Sequence, residues 1–511
     1  MSKIVIIKKS SAIFLAIVLV AGTIFTLSPS FMIDVQAEPD YGMNSYDDKQ
    51  SYEKDNSHYK SKDSSNVIVK KIKCNNINLN VNGFNGLKLN ALPTSLNALA
   101  TDEAQTAGEV EKGASSFGSG GGGSDGSRSS GSNTDFRFVC INNNNYAVAG
   151  VNDDDDDPDD DEPIPTNLDL AVANRGDGTV SILLGNGDGT FGTTNNFDIA
   201  FGPISVAVGL FNADDNLDLA VANFNSHTVS ILLGIGDGTF GTATDFSAGS
   251  TPDSVAVGLF NADDNLDLAV ANFNTDTVTI LLGNGEGRFV PTNQFGTGGI
   301  IPRSVAVGLF NADDNLDLAV ANAGGSNPGD VAILLGNGDG TFRTATNFDV
   351  GNTAASVVVG LFNADDNLDL AVANAADDTV SILLGDGLGT FGPANNFDVG
   401  DGPFSLAVGL FNADDNLDLA VANINGDNVS ILLGDGLGTF GPANNFDVGD
   451  TPTSVAVGLF NADDNLDLAV SNSGDGTVSI LLGDGLGTFG PANNFDVGVG
   501  PASVAVGEFN S

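Results

Sequence analysis

Asp214, Asp215 and Asp218 place three carboxylates within five residues, with no Lys or Arg among them. They belong to a ten-residue block, Leu-Phe-Asn-Ala-Asp-Asp-Asn-Leu-Asp-Leu, that occurs six times, from Leu210, Leu259, Leu309, Leu361, Leu410 and Leu459. Short loops rich in oxygen suit hard cations such as calcium, which gather roughly six to eight oxygen ligands. At ~5 Å, two such charges repel by about 1 kcal/mol or less in water, and several-fold more when partly desolvated. A cation or an ordered water relieves that repulsion. The alternative needs no metal: Asn212 and Asp214 can cap a turn by bonding side chain to backbone.

Whatever these loops do, the chain must hold them at a fixed pitch. The blocks follow one another at steps of 49, 50, 52, 49 and 49 residues. Repeats of this period are single supersecondary units that bury their cores against their neighbours. The unit Ser205 to Asp253 contains three clear alternating runs, Ser205 to Phe211, Leu217 to Asn223 and Thr228 to Leu233, and a weaker one from Thr239 to Ala248. Val-, Ile- and Leu-rich runs bounded by Gly, Asn and Asp predict strands. Gly234 to Gly238 supplies turn residues that tolerate positive φ. No run has helical periodicity.

In the second strand Leu217, Leu219 and Val221 share one face, and Asp218, Ala220 and Ala222 the other. Such faces suit stacked sheets, and four antiparallel strands per period predict a β-propeller blade. A parallel β-solenoid is the rival, with shorter coils. The Leu-Asp-Leu strand occurs seven times, centred on Asp169, Asp218, Asp267, Asp317, Asp369, Asp418 and Asp467. The Val-Ala-Val-Gly strand type also occurs seven times, first at Val206 and last at Val504. The expected fold is therefore an all-β, seven-bladed propeller of four-stranded antiparallel blades. Ser503 to Phe509 is expected to pair beside Leu168 to Asn174 and close the ring, which removes an exposed sheet edge.

The formal charge is -48. From Ile164 onward there is no Lys, and Arg175, Arg288, Arg303 and Arg343 face more than forty carboxylates. Such a surface repels nucleic acid and anionic membranes and attracts divalent cations. The start of the chain reads as a signal peptide over residues 1–37: Lys3, Lys8 and Lys9, an apolar stretch from Ala12 to Leu27, then Val35-Gln36-Ala37 at the cleavage positions. The apolar run is short for a membrane span, so the mature chain is expected to have none and to be secreted or held at the cell surface. Residues 38–163 read as a low-complexity, largely disordered region. It includes a Ser/Gly-rich linker around Gly120 to Gly123 and an acidic run from Asp153 to Glu162. Val67 to Val81 alternates and reads as a small strand module. Cys74 and Cys140 could form one disulfide. Residues 164–511 read as the propeller.

The recurring Val-Ala-Val-Gly-Leu-Phe-Asn-Ala-Asp-Asp-Asn-Leu-Asp-Leu-Ala-Val-Ala-Asn, followed by Val-Ser-Ile-Leu-Leu-Gly and Asp-Gly-Thr-Phe, resembles FG-GAP/VCBS-type repeats. Those repeats build the integrin-α-like propeller, and the likeness spans roughly Asn167 to Ser511. Proteins with such repeats are commonly extracellular, and many bind calcium between the first and second strands. Carried over, the resemblance implies ligands at Asn212, Asp214, Asn216 (by its carbonyl) and Asp218. The later loops would use Asn261, Asp263, Asn265 and Asp267; Asn311, Asp313, Asn315 and Asp317; Asn363, Asp365, Asn367 and Asp369; Asn412, Asp414, Asn416 and Asp418; and Asn461, Asp463, Asn465 and Asp467. This chain departs from the pattern twice. Leu210 and its equivalents replace the first-position acid, and Asp215 and its equivalents replace the sixth-position Gly. Both weaken the expected affinity. Glu508 alone keeps an acid at the first position.

The copies differ most where the first strand begins: Ile204, Asp253, Arg303, Ala355, Phe404, Thr453 and Ala502. If that strand is innermost, as in the resembled family, these residues ring the mouth of a central channel. The variable loop Ala323 to Asp330 lies on the same face. Ile204, Asp253, Arg303 and Phe404 are the candidate ligand contacts, since recognition favours variable loops on a rigid scaffold; neutral drift is the alternative. Arg175-Gly176-Asp177 reads as a variant turn before it reads as an adhesive motif. His227, the single histidine of the repeats, reads as a solvated loop residue.

Acid–base catalysis needs unlike groups with separated pKa values. The acids here are repetitive, no Ser/His/Asp or Cys/His set is present, and Glu286 has no evident partner. The expectation is a binding or adhesion module and not an enzyme, with calcium as the candidate cofactor and an extracellular protein or carbohydrate as partner. A structural part of a cell envelope or matrix, and a secreted glycosidase or lyase, are the alternatives.

Overall fold

The computed structural model describes residues 167–325 and 328–510 in full. Upstream it places the backbone of five short strands. Ile17–Val20 pairs with Thr23–Thr26, and Leu87–Asn90, Asn145–Asp153 and Phe136–Asn142 form a three-stranded sheet. The expected cleavage site, the linker, the acidic run beyond Asp153 and the alternating segment Val67 to Val81 lie outside the described residues.

Seven four-stranded antiparallel sheets make up the rest. We number them in chain order. Blade 1 combines Asp169–Asn174, Thr179–Leu183 and Asn195–Asp198 with the last strand of the chain, Pro501–Gly507. Blades 2 to 7 each run consecutively, from first strands Pro203–Gly209, Pro252–Gly258, Pro302–Gly308, Ala354–Gly360, Pro403–Gly409 and Pro452–Gly458. The solenoid alternative is thereby excluded. Among the described residues no helix is long and apolar enough to cross a membrane.

Each first strand touches the first strands of both neighbouring blades, and the cycle closes between blades 7, 1 and 2. The first strands therefore line the centre. Their third position carries a serine whose hydroxyl bridges blades. Ser205 Oγ accepts the Val255 N–H at 3.2 Å, Ser254 the Val305 N–H and Ser503 the Val206 N–H. These bonds satisfy channel-side donors that the sheet ladder leaves unpaired.

The closing strand pairs residue for residue from Ser503 to Gly507, with a bulge between Pro501 and Ser503. Ser503 lies opposite Ala173, Ala505 opposite Ala171 and Gly507 opposite Asp169. Closure covers the inner edge of Asp169–Asn174, which would be unpaired without the closing strand.

Between blades the core is aliphatic in the middle and aromatic at the rim. Leu219, Val221, Ala220 and Ala222 are fully buried, so both faces of the second strand pack against neighbouring blades. Phe211 of blade 2 meets Phe289 of blade 3 edge-on at 5.4 Å, and the same pair recurs at every blade boundary, including Phe509 with Phe240. Beside each ring pair a glycine N–H reaches across. Gly238 donates to the Phe509 carbonyl at 2.7 Å and Gly287 to that of Phe211. Gly238 has φ +80°, and a Cβ there would come within 2.8 Å of the Leu184 methyls. The Gly-rich turn is thus fixed by both conformation and close approach.

Candidate functional site: the mouth of the central channel

The repeated acidic loops have a structural occupation. Asp218 is fully buried, and its Oδ2 accepts the Phe211 N–H at 2.8 Å while its Oδ1 accepts the Gly234 N–H at 2.8 Å. Every blade repeats this clamp. In blade 1 it spans the closure, where the Phe509 N–H donates to Asp169 at 2.7 Å. Burial pushes Asp218 up to about 7, against the pull of the two N–H groups and with a push from the Asp214 charge. Its equivalents shift the same way for the same first cause.

At the loop tip Asn212 accepts the Asp214 N–H at 2.8 Å, and Asp214 accepts the Asn216 N–H at 3.1 Å. These side-chain turns recur at Asn261/Asp263/Asn265, Asn311/Asp313/Asn315, Asn363/Asp365/Asn367, Asn412/Asp414/Asn416 and Asn461/Asp463/Asn465. Asp215 sits at φ +63°, the left-handed conformation that a sixth-position Gly would adopt freely. In blade 4 Asp313 also pairs with Arg343 at 3.3 Å. Hydrogen bonds thus engage the side-chain oxygens of Asn212, Asp214 and Asp218. Among the described residues no three acidic, His or Cys side chains gather as a cation cage. The residues present fit a turn-and-clamp device better than a calcium site.

The chemistry that breaks the repeat gathers elsewhere. A cavity of about 650 Å³ opens at one end of the channel, and Ile204, Asp253, Arg303 and Phe404 all line it. Each holds the same place on its own innermost strand, so the fold brings together residues successively 49, 50 and 101 apart in sequence. Arg175, Ile424 and Ser473 join them from one position in the turns after the second strands. That position is Arg175, Phe224, Phe273, Ala323, Ala375, Ile424 and Ser473 in blades 1 to 7. Arg175 stacks on Phe224 at 5.0 Å, Phe224 meets Phe273 edge-on at 5.6 Å, and Arg303 lies over both Phe273 and Phe404. Two of the four arginines of the repeat region thus converge on one opening.

Asp253 faces them. It is only 9 % exposed, yet no hydrogen bond or ion pair from a described residue holds its carboxylate. Burial pushes it up to about 6, and the charges of Arg303 and then Arg175 pull it back. The buried Nε of Arg303 likewise has no acceptor. A buried N–H of this kind is costly to leave unpaired.

Arg175 is the residue of this site that sequence reading missed. It opens the Arg175-Gly176-Asp177 tripeptide, and its place at the mouth follows only from the closed ring. Asp177 of the same tripeptide is engaged: it accepts from the Thr179 hydroxyl at 2.9 Å and the Val499 N–H at 2.9 Å. His227 is also structural rather than merely solvated, since its Nδ1 accepts the Thr251 N–H at 2.9 Å.

No family model matches this chain, and no curated protein matches it. The likeness to FG-GAP/VCBS repeats therefore rests on the quoted residues, and what stands is the seven-bladed propeller. Solved structures share that fold. A putative 6-phosphogluconolactonase from Bacteroides fragilis aligns at TM-score 0.53 and 14 % identity, over 68 % of this chain and 99 % of its own. A protein from Lactobacillus plantarum aligns at TM-score 0.52 and 14 % identity, over 66 % and 99 %. The periplasmic gluconolactonase of Pseudomonas aeruginosa aligns at TM-score 0.50 and 15 % identity, over 67 % and 99 %. At such identity the likeness establishes the fold alone. It still corrects one expectation. A chain of repeated acids without a familiar triad was expected to be no enzyme, but propellers of this architecture include proteins named as lactonases. The missing triad is therefore no ground for excluding catalysis. The chain is a seven-bladed β-propeller with a cavity at its channel mouth.

Proposed function

We propose that this chain is a ligand-binding propeller whose recognition site is the channel mouth. The observation that carries this reading is Asp253, a nearly buried carboxylate with no hydrogen-bond partner among the described residues, facing a cavity with two arginines. A cavity of about 650 Å³ matches a carbohydrate-sized ligand better than a flat protein surface. The signal-like pattern of residues 1–37 supports a secreted or surface-held setting. Thermal melting of the full chain with a panel of neutral saccharides and sugar acids tests it. At least one compound should raise the melting temperature of the wild type and not that of the Arg303→Ala/Phe404→Ala double variant. Equal stabilisation of both proteins by every active compound would remove the channel mouth from consideration.

A second reading, catalysis in the same cavity, is favoured by the raised pKa of Asp253. A carboxylate pushed to about 6 inside a cleft suits a general base near neutral pH. The names of the lactonase propellers suggest glucono-δ-lactone as the first compound to try. Hydrolysis above the spontaneous rate, lost in Asp253→Asn, would support this reading; the spontaneous rate in both proteins would end it.

A further inference from the structure

The unpaired groups at the mouth specify a ligand more narrowly than its size does. Arg175 and Arg303 against Asp253 leave one net positive charge in the cavity. The surrounding protein carries a formal charge of -48, so a multiply charged anion is repelled on approach. A neutral ligand leaves a guanidinium uncompensated, and so does a zwitterion.

The donors and acceptors add direction. Arg303 offers a buried N–H that no described residue accepts, and guanidinium groups match the planar fork of a carboxylate. Asp253 offers acceptors and lacks a donor, so it calls for a hydroxyl on the ligand. Apolar or small residues complete the lining: Phe404, Ala355 and Ala502 can pack against carbon-bound hydrogens.

Resting on the channel-mouth reading, we infer that the site takes a singly charged hydroxy acid of sugar size, its carboxylate on Arg303 and Arg175 and a hydroxyl on Asp253. Charge, hydrogen-bond sense and volume are satisfied together by that class. Simple carboxylates leave Asp253 unpaired, and neutral sugars leave Arg303 unpaired.

Isothermal titration of the full chain with D-gluconate, D-glucose and hexanoate tests the inference. Gluconate is expected to bind at least ~10-fold more tightly than either glucose or hexanoate, the scale of leaving a buried polar group unpaired. Arg303→Gln should weaken gluconate by ~10-fold or more, and 0.5 M NaCl should weaken it further. Glucose binding as well as gluconate, or gluconate binding unchanged by Arg303→Gln, would overturn the ligand class. If Arg303→Gln fails to fold, the wild-type ranking of the three compounds still decides. The two readings fail differently. Glucose binding that is lost in Phe404→Ala leaves the channel mouth standing without its anion. If Phe404→Ala and Arg303→Gln, both folded, leave the binding of every compound unchanged, both readings fall.

Discussion

The guanidinium carbon of Arg303 lies 5.8 Å from the ring centroid of Phe404, although the two residues belong to blades 4 and 6. The blade between them makes this possible, because its equivalent residue is Ala355. A small residue there lets two large side chains meet across the mouth. Stacking on Phe404 and on Phe273 orients a guanidinium whose Nε has no acceptor. Phe404→Ala should therefore free Arg303 and weaken ligand binding while costing less than ~1 kcal/mol of stability at a half-exposed position. Titration with D-gluconate and urea melts of the same protein separate the two effects.

The Asp clamp should matter far more to stability. Asp169→Ala would strand the N–H groups of Phe509 and Gly185 at the ring closure, a loss of about 2–4 kcal/mol. Asp169→Asn should lose less, because one oxygen remains. Urea denaturation followed by circular dichroism checks the order; equal stability in all three proteins would show that the clamp is not holding the seam.

Stability should rise on mild acidification. Burial pushes Asp218 and five of its equivalents to about 7 and Asp369 to about 6, above the ordinary value of 3.8. Between those limits the folded chain binds more protons than the unfolded one, so lowering the pH favours folding. The exposed Asp188, Asp237 and Asp339 shift the other way, held below 3.8 by the hydroxyls of Thr190, Thr239 and Thr341. Their contribution is present above the ordinary value and is lost as pH falls through their lower folded values. Calorimetric melting should peak at about pH 4–6. A maximum at pH 8 would contradict the direction of the clamp shifts.

Chelation should do little. With the loop oxygens engaged as turn caps and clamps, EDTA should leave the melting temperature within about 2 °C of its value in millimolar calcium, since a ligand that binds only weakly shifts stability little. A rise of 5 °C or more in calcium would restore the metal reading of Asn212, Asp214 and their equivalents.

The architecture was legible in the sequence because the same strands recur seven times, and the pairing of Ser503 with Ala173 follows from counting them. The positions of Ile204, Asp253, Arg303 and Phe404 were legible as breaks in an otherwise constant register. Arg175 was not, because its place at the mouth depends on a turn that lies beside the first strand only after the ring closes. The occupation of Asp218 was also hidden. A carboxylate that clamps two backbone amides and one that holds a cation look identical in sequence, and only the approach of Phe211 and Gly234 separates them.

The most direct measurement is amide hydrogen exchange of the full chain with and without D-gluconate. Recognition at the channel mouth should slow exchange in residues 200–205, 251–255, 301–305 and 402–406, and leave Asn212 to Asn216 and its equivalent loops unchanged. Protection confined to those repeated loops, with none around Asp253 and Arg303, would contradict it.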